Sequence, residues 1–211
     1  MSNQSTGNGD KSNSADFETP TLSENVLEYT PTKEIPNLVN HLKTSFRKDR
    51  KTHSLQFRLN QLRNIYFALQ DNIGDLSDAL YKDFYRAPSE TMNLEYAPFM
   101  NELVHTMANL QTWAKREPVK DLPLNLKTAP VYIERVPLGT VLVISPFNYP
   151  LFLTLSSLIG AISGGNCVVL KVSEFVPHFA AVLTRMLTNC LDPDTFVMVN
   201  GETFRESGTS W

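Results

Sequence analysis

Three short polar clusters interrupt the otherwise apolar second half of this 211-residue sequence. They occupy residues 145–150, 171–174 and 200–201, each after an apolar run typical of a buried strand. The clusters offer a carboxamide at Asn148, an ammonium at Lys171 and a carboxylate at Glu174, which can donate to or accept from a polar ligand. From the residues alone, Asn148 could instead cap a helix that starts at Pro150, and Lys171 and Glu174 could be surface charges.

The two cysteines and four histidines are weaker candidates for chemistry. Cys167 lies inside a predicted buried strand, and Cys190 lies at the end of a predicted helix, where the negative helix terminus disfavours a thiolate. We interpret both as small structural residues. No metal site is predicted, because the histidines are scattered over helical segments without the spacing of metal ligands; they are His41, His53, His105 and His178.

The elements that position the polar clusters form a repeating strand and helix pattern. No charged residue occurs over 136–170, yet prolines and glycines divide this stretch into elements too short to span a membrane. The apolar runs predict strands near 140–145, 167–171 and 195–199 and helices over 151–162 and 177–191. This order predicts a parallel sheet with ligands at the carboxyl ends of its strands and with the first strand covered on both faces.

Because the first strand–helix turn lacks the G-x-G-x-x-G fingerprint, any phosphate must be held elsewhere.

Helical periodicity dominates the chain before residue 117. Four amphipathic helices are predicted there, with Asp71 capping the third and Ser89, with Glu90 and Glu95 nearby, beginning the fourth. Residues 41–66 contain seven Lys and Arg against one Asp, a net charge of 7 − 1 = +6. This could be a patch for acidic lipid or nucleic acid, but the interleaved leucines favour the solvated face of a helix. A short strand is predicted over 131–133.

Composition limits the class of protein. With 42% hydrophobic and 19% charged residues and a net charge of −3, the chain is globular, and nothing global directs it to nucleic acid. Residues 1–32 are acidic and poor in apolar side chains, which predicts a disordered tail. Two cysteines and the lack of an apolar leader favour a reducing, intracellular and cytoplasmic location, and no membrane span is predicted.

Several separate motifs give the sequence a family resemblance over residues 34–201. Upstream these are LQFRLNQLRNI, LYKDF and WAKREPV, and further along PLGTVLVISPFNYP, GNCVVLKVSE and DPDTFVMVNG. In this order they resemble the aldehyde dehydrogenases, and in particular the class 3, fatty aldehyde dehydrogenase type. The resemblance implies an α/β fold in which amino-terminal helices pack on a truncated Rossmann-like parallel sheet.

The resemblance also implies a reaction and roles for residues. It implies NAD- or NADP-dependent oxidation of medium or long-chain aldehydes through a cysteine thiohemiacetal, by a homodimer. Asn148 is then the carboxamide that donates to the oxygen of that intermediate, and Lys171 and Glu174 hold the adenosine ribose hydroxyls. The residues that line the nicotinamide ribose side are then Ile144, Ser145, Pro146 and Phe147.

The sequence departs from the family pattern at three places. Phe147 stands where Trp is common, and Val172 replaces a Pro. After Gly201 the chain reads ETFRESGTSW, without the family's phosphate turn, catalytic Glu or nucleophilic Cys.

We therefore expect a chain truncated before the catalytic Cys, inactive alone, or alternatively an inactive paralogue that serves as a binding or dimerisation module. The expected organisation is a tail (1–32), a partial NAD(P)-binding domain (33–201; helices 34–117, hairpin and linker 118–139, β-α-β unit 140–201) and a non-family end (202–211).

Overall fold

The structure, a computed structural model, describes residues 27–123 and 130–201. Its helical part contains α1 (Ile35–Lys48), a 3-10 turn (Lys51–His53), α2 (Leu55–Phe84), α3 (Pro88–Glu90), a π-helical segment (Thr91–Tyr96) and α4 (Ala97–Trp113). Its remaining elements are β1 (Glu117–Pro118), β2 (Tyr132–Ile133), β3 (Thr140–Ile144), α5 (Pro150–Ser163), β4 (Cys167–Lys171), α6 (Pro177–Cys190) and β5 (Phe196–Met198). The predicted tail lies mostly outside the described residues, and the predicted non-family end lies wholly outside them.

The predicted parallel sheet is confirmed. Its order is β3-β4-β5, and both strand pairs are parallel, with Ile144 aligned to Lys171 and Leu170 aligned to Met198. The helices α5 and α6 connect successive strands, as the alternation of strand and helix predicts. Positive φ angles at Gly139 and Gly165 mark the turns that lead into β3 and β4, where L side chains are disfavoured.

The expectation that the first strand is covered on both faces is wrong. Within the described sheet β3 lies at one edge, and its side chains at Leu142 and Ile144 are 61% and 68% exposed. Val141 and Val143 point to the opposite face and pack against the main core. Alternate side chains of a strand face opposite sides, so covering one face leaves every second residue exposed. The strand buried on both faces is β4.

Two of the predicted helices are one. Helix α2 runs without a break from Leu55 to Phe84, so Asp71 caps nothing and the prediction of a boundary there is wrong. Its apolar residues keep one helical phase through this region, and the buried stripe therefore continues past Gly74. The fully buried members of that stripe are Leu62, Ile65, Leu69, Leu76 and Leu80.

One core joins the helices to the sheet. Buried side chains of α2, α4, α5 and α6 pack together with those of β4 and β5, and Phe99 and Phe179 are its largest fully buried members. A smaller cluster on the other face of the sheet is formed by Leu42 of α1 with Cys167 and Val169. The amino-terminal helices are therefore packed on the sheet, as the predicted fold class requires.

Residues 27–32 belong to the segment that composition predicts as a disordered tail, yet they contact the fold. Leu27 is buried, and the Thr30 amide donates to the Asn200 carbonyl at 2.8 Å. In return, the Asn200 amide donates to the Thr30 hydroxyl at 3.1 Å. This pairing depends on a residue far away in the chain, which the composition of the segment does not show.

The short strands β1 and β2 form an antiparallel hairpin, and β2 lies within the strand predicted over 131–133. Two exposed ion pairs cross it, Arg116 with Glu134 and Glu117 with Arg135, each at 3.1 Å. Among the described residues, no helix combines the length and the apolar character needed to cross a membrane.

Candidate functional site

The turns that follow β3 and β4 lie side by side at the carboxyl edge of the sheet. The Ser145 amide donates to the Lys171 carbonyl at 3.0 Å, which extends the strand pairing by one residue. Beyond it the rings of Phe147 and Phe175 meet edge to face, with centroids 5.7 Å apart and planes at 78°. Both rings remain largely exposed, so the two turns form one accessible surface that includes a pair of aromatic rings.

Lys171 and Glu174 form an ion pair at this surface. Lys171 Nζ lies 3.0 Å from Glu174 Oε2 and also donates to the Val172 carbonyl at 3.3 Å. The two side chains retain 22% and 19% of their accessible surface, which is less than freely solvated surface charges keep. A paired ammonium and carboxylate at a strand end can bind two neighbouring hydroxyl groups, one by donating and one by accepting.

Asn148 lies in the neighbouring turn. Its side chain is exposed and forms no hydrogen bond with any described residue, so the carboxamide is available to a ligand. Its backbone is held, because Arg86 Nη2 donates to the Asn148 carbonyl at 2.7 Å. The alternative interpretation, in which Asn148 caps the following helix, finds no supporting hydrogen bond: the residue before α5 is Tyr149, and the first helical amides are bound elsewhere.

The amino terminus of α5 is capped by a carboxylate from a distant part of the chain. Glu95 Oε2 accepts from the amides of Leu151 and Phe152 at 2.8 and 3.1 Å. Glu95 is fully buried in the π-helical segment, and its other oxygen pairs with Arg86. The amino end of a helix carries about +0.5 of an elementary charge, which a carboxylate neutralises. Glu95 therefore occupies the position where a phosphate could bind to α5.

Helix α6 is capped in the same way by Asp83, at the end of α2. The two Asp83 oxygens accept from the amides of His178 and Phe179 at 3.2 and 2.9 Å, and Oδ1 also lies 2.8 Å from His178 Nδ1. The Asp83 side chain is 1% exposed. Neither α5 nor α6 thus offers a free amino terminus to a diphosphate, which agrees with the lack of a glycine-rich phosphate turn.

The residues expected to line the nicotinamide side differ in exposure. Ile144, Pro146 and Phe147 are exposed at the carboxyl edge, whereas Ser145 is 4% exposed. Besides its amide, the Ser145 hydroxyl points to the Lys171 carbonyl at 3.4 Å. Ser145 therefore joins the two turns, while the other three residues face outwards.

The third polar cluster is less open. Asn200 is 5% exposed, its Nδ2 donates to the Thr184 hydroxyl at 3.0 Å, and its backbone pairs with Thr30. A groove of about 430 Å³ runs beside it between the 27–31 segment and α6. Asn200 thus attaches the start of the described chain to the sheet.

Neither cysteine has the environment of a nucleophile, in agreement with the sequence interpretation. Burial raises the pKa of the Cys167 thiol from 9.0 to about 11, with a smaller contribution from the charge of Asp192. Burial likewise raises the pKa of Cys190 to about 11. Both thiols are therefore protonated at neutral pH. Within residues 27–123 and 130–201 no group of three potential ligands could hold a metal ion.

Sequence reasoning did not find Asp83, Arg86 and Phe175, and it assigned Glu95 only to the beginning of a helix. A local signal exists for Glu95 alone, as an acidic residue near a predicted helix start. All four nevertheless act across the fold, through contacts with residues more than 25 positions away.

Comparison with known proteins identifies the family. The sequence model of the Aldehyde dehydrogenase family matches residues 10–209. The chain belongs to the aldehyde dehydrogenase family. This matched range includes parts of both ends that the sequence analysis set apart as a tail and as a non-family end.

Individual relatives place the chain within the family. It is 39% identical over 175 residues to a beta-apo-4'-carotenal oxygenase of Gibberella fujikuroi, covering 83% of this chain and 32% of the relative. It is 34% identical over 183 residues to a fatty aldehyde dehydrogenase of Saccharomyces cerevisiae, covering 82% and 34%. The solved structure of the substrate-bound state of AldH from Staphylococcus aureus superposes with a TM-score of 0.75 at 32% identity, covering 79% of this chain and 36% of that one.

The chain thus spans about a third of the length of the curated relatives it matches. The recognition of the family and the predicted fold class are confirmed.

Proposed function

We propose that this chain carries the ribose-binding and oxygen-binding residues of a nicotinamide-dependent enzyme that oxidises aldehydes to carboxylic acids. The observation that carries the proposal is the pairing of two turns at one sheet edge. One turn presents the free Asn148 carboxamide, and the adjacent turn presents the Lys171–Glu174 pair. Family membership supplies the reaction class.

NAD or NADP is the proposed cofactor. When bound, its nicotinamide supplies the hydride acceptor for the oxidation. Lys171 donates to one adenosine ribose hydroxyl and Glu174 accepts from the other, since the pair lies at a strand end and stays partly accessible. Ile144, Pro146 and Phe147 provide the exposed apolar contacts beside it.

Binding by these residues alone is weak, because Glu95 and Asp83 already occupy both described helix amino termini next to the site.

Asn148 binds the oxygen of the aldehyde substrate. Its Nδ2 donates to the aldehyde oxygen as negative charge develops there, and a neutral amide does this without repelling the substrate. The thiolate that attacks the carbonyl comes from neither Cys167 nor Cys190, since both thiols stay protonated at neutral pH.

A long apolar aldehyde is the proposed substrate class, because the two relatives described above are named for a fatty aldehyde and for a carotenal. A homodimer in a reducing, cytoplasmic compartment completes the proposal, and both cysteines are free thiols there.

Titration with NAD+, followed by amide shifts in the ¹⁵N-labelled chain, tests the cofactor role. We expect shifts at residues 144–147 and 171–174, and a loss of affinity of about tenfold or more in Glu174→Gln, the scale of a hydrogen bond to a charged group. Lys51→Met is the matched control, because Lys51 pairs with Asp192 and Asp194 before β5, at the opposite edge of the sheet. Equal losses in both variants would contradict the assignment.

Turnover tests the role of Asn148. NADH formation from a long-chain aldehyde is measured for the chain and for a chimera in which the Saccharomyces relative continues the sequence after Gly201. We expect none from the chain alone, turnover from the chimera, and a loss on the order of 10²–10³ in the chimera carrying Asn148→Ala, the scale of one oxyanion donor. Steady NADH formation by the chain alone would overturn the assignment of both cysteines. Full turnover by the Asn148→Ala chimera would overturn the assignment of the carboxamide.

A further inference from the structure

A buried ion pair lies directly beneath the turn that carries Asn148. Glu95 has no exposed surface and Arg86 retains 15%, and they are each other's charged partner. Replacing such a pair by apolar residues is often neutral or stabilising, so an ion pair of this kind is weak evidence of a contribution to stability. Its position and its further contacts point to another role.

The Arg86 guanidinium contacts four residues around this turn and the end of α2. Nη1 pairs with Glu95, and Nη2 donates to the Asn148 carbonyl at 2.7 Å. Its central carbon lies 5.3 Å from the ring centroids of both Phe84 and Tyr149. A planar group with fixed donors and two aromatic rings close to it has little rotational freedom, and it transmits that rigidity to its partners.

Glu95 holds the other end of the turn. Its second oxygen accepts from the amides of Leu151 and Phe152, so one carboxylate fixes both the guanidinium and the start of α5. Together, Arg86 and Glu95 hold the backbone on both sides of Tyr149, while the Asn148 side chain stays free of hydrogen bonds to the described residues. The backbone of Asn148 is therefore held in place, and its carboxamide remains accessible to a ligand.

We propose that Arg86 and Glu95 are positioning residues for Asn148. A donor stabilises developing charge effectively when its geometry is held to within about 0.5 Å, and neighbouring groups supply that precision. Arg86 acts on the Asn148 carbonyl and so sets the direction in which the side chain leaves the backbone. The proposal rests on the proposed role of Asn148 but concerns only the order of the turn.

A π-helical segment supports this assignment. Residues Thr91–Tyr96 leave the regular α-helical period between α3 and α4, and Glu95 lies within them. Such segments are rare and often occur at functional sites. This one brings a fully buried carboxylate to the amino end of α5. The first turn of α5 has no acidic residue of its own that could take this position.

Asp83 provides a control within the same molecule. It is also a buried carboxylate that caps a helix after a strand, but its third contact is His178 rather than a residue of the Asn148 turn. Loss of Asp83 should therefore destabilise the fold without loosening the turn at 145–149.

Backbone and carboxamide ¹⁵N relaxation of the labelled chain tests the proposal, with the Asn148 carboxamide assigned by its loss in Asn148→Asp. We expect order parameters of about 0.85 for residues 147–149 in the native sequence and below about 0.6 in Arg86→Ala. Arg86→Lys should retain much of the stability, because a lysine can still pair with Glu95, yet it should leave the turn loosened because it lacks the second guanidinium arm. Asp83→Asn should leave the turn ordered.

The decisive result is an Arg86→Lys variant that keeps much of the native stability but has a loosened turn. If Arg86 were only structural, lysine would preserve the stability and the order of the turn together. A turn that stays as ordered in Arg86→Lys as in the native chain would overturn the proposal, as would equal loosening in Asp83→Asn. If Arg86→Ala does not fold, Arg86→Lys decides alone.

The same substitutions in the active chimera separate this proposal from the proposed function. Arg86→Lys should lower kcat about tenfold with KM unchanged, and its effect should vanish when Asn148→Ala is already present. A loosened turn with Asn148→Ala at full turnover would refute the catalytic assignment and leave the positioning intact. If the turn stays ordered in Arg86→Lys while Asn148→Ala lowers turnover strongly, the positioning role is refuted and the catalytic assignment of Asn148 stands.

Discussion

The units β3–α5 and β4–α6 share the same strand, turn and capped-helix arrangement, but the capping carboxylate has a different partner in each. In each, a parallel strand ends in a turn, and a helix begins at a proline whose following amides are bound by a buried carboxylate from the helical layer. Under α5 the carboxylate pairs with an arginine that also holds the turn. Under α6 it pairs with a histidine of the helix itself.

The comparison shows which polar groups a sheet of this type leaves accessible when it has no glycine-rich turn. Closing both helix ends with carboxylates removes the usual anion site, and the polar groups that remain for a ligand are side chains of the turns. The β3 turn presents a neutral donor on a clamped backbone. The β4 turn presents an ion pair that is partly accessible.

The largest single loss of stability should appear when the carboxylate of the β3–α5 unit is removed, and the same change in the other unit should cost less. Glu95→Ala should lower the free energy of unfolding by about 3–5 kcal/mol, since it leaves a mostly buried guanidinium that cannot lose its charge. Asp83→Ala should cost about 1–3 kcal/mol, because it leaves two helix amides unpaired but no buried arginine without its partner.

Urea unfolding followed by far-UV circular dichroism measures both values. A double variant of Glu95→Ala with Arg86→Met serves as the control and should recover part of the loss, because it removes the unpaired charge. Equal costs for Asp83→Ala and Glu95→Ala would show that the two caps are energetically alike.

The two strands should also differ in stability loss under one identical substitution. Leu170→Ala in β4 should cost about 2–5 kcal/mol, because its side chain is fully buried and the substitution leaves a cavity. Leu142→Ala in β3 should change stability by less than about 0.5 kcal/mol, since that side chain is 61% exposed. The same unfolding experiment compares them, and a large cost at Leu142 would show that its face of β3 is covered in solution.

The smallest expected effect concerns the thiols of β4 and α6. Their pKa values of about 11, against 9.0 when solvated, mean that the neutral thiol persists to higher pH in the folded chain. At pH 8 we expect alkylation by iodoacetamide to be slower on the order of 100-fold than in urea, following the thiolate fraction.

The corresponding contribution to stability is complete below about pH 9 and is lost as pH rises towards about 11. Mass spectrometry of single-cysteine variants assigns the rates to each thiol. Rapid labelling of either one at pH 7 in the folded chain would reopen its candidacy as a nucleophile.

Sequence reasoning succeeded where topology alone fixes position. Because the chain alternates strand and helix, the ends of two neighbouring parallel strands had to meet, and Asn148 and Lys171 lie at those ends. It failed where the answer depends on the neighbours of an element. The apolar run of β3 does not show that Leu142 faces outwards, and local capping preference placed a boundary at Asp71 that a continuous apolar stripe overrides.

The Arg86–Glu95 pair that holds the Asn148 turn could not be predicted either, because it too depends on residues far away in the chain. Arg86 and Glu95 look like ordinary surface charges in a helical segment, because nothing local distinguishes a buried acid from a solvated one. Their partners lie more than 50 residues away, in the turn and at the start of α5. Only the packed structure shows that both charges are enclosed.

The π-helical segment has a consequence for how this region tolerates change. Residues 88–95 are helical, whereas Arg86 lies in the loop before them, so deleting one residue of this stretch would change the phase of Glu95 by roughly a quarter of a turn relative to Arg86 and to the start of α5. Substitutions at the exposed Met92 and Leu94 leave that phase intact. Over evolutionary time this stretch should therefore accept many changes of residue type and almost no change of length, in contrast to a surface loop.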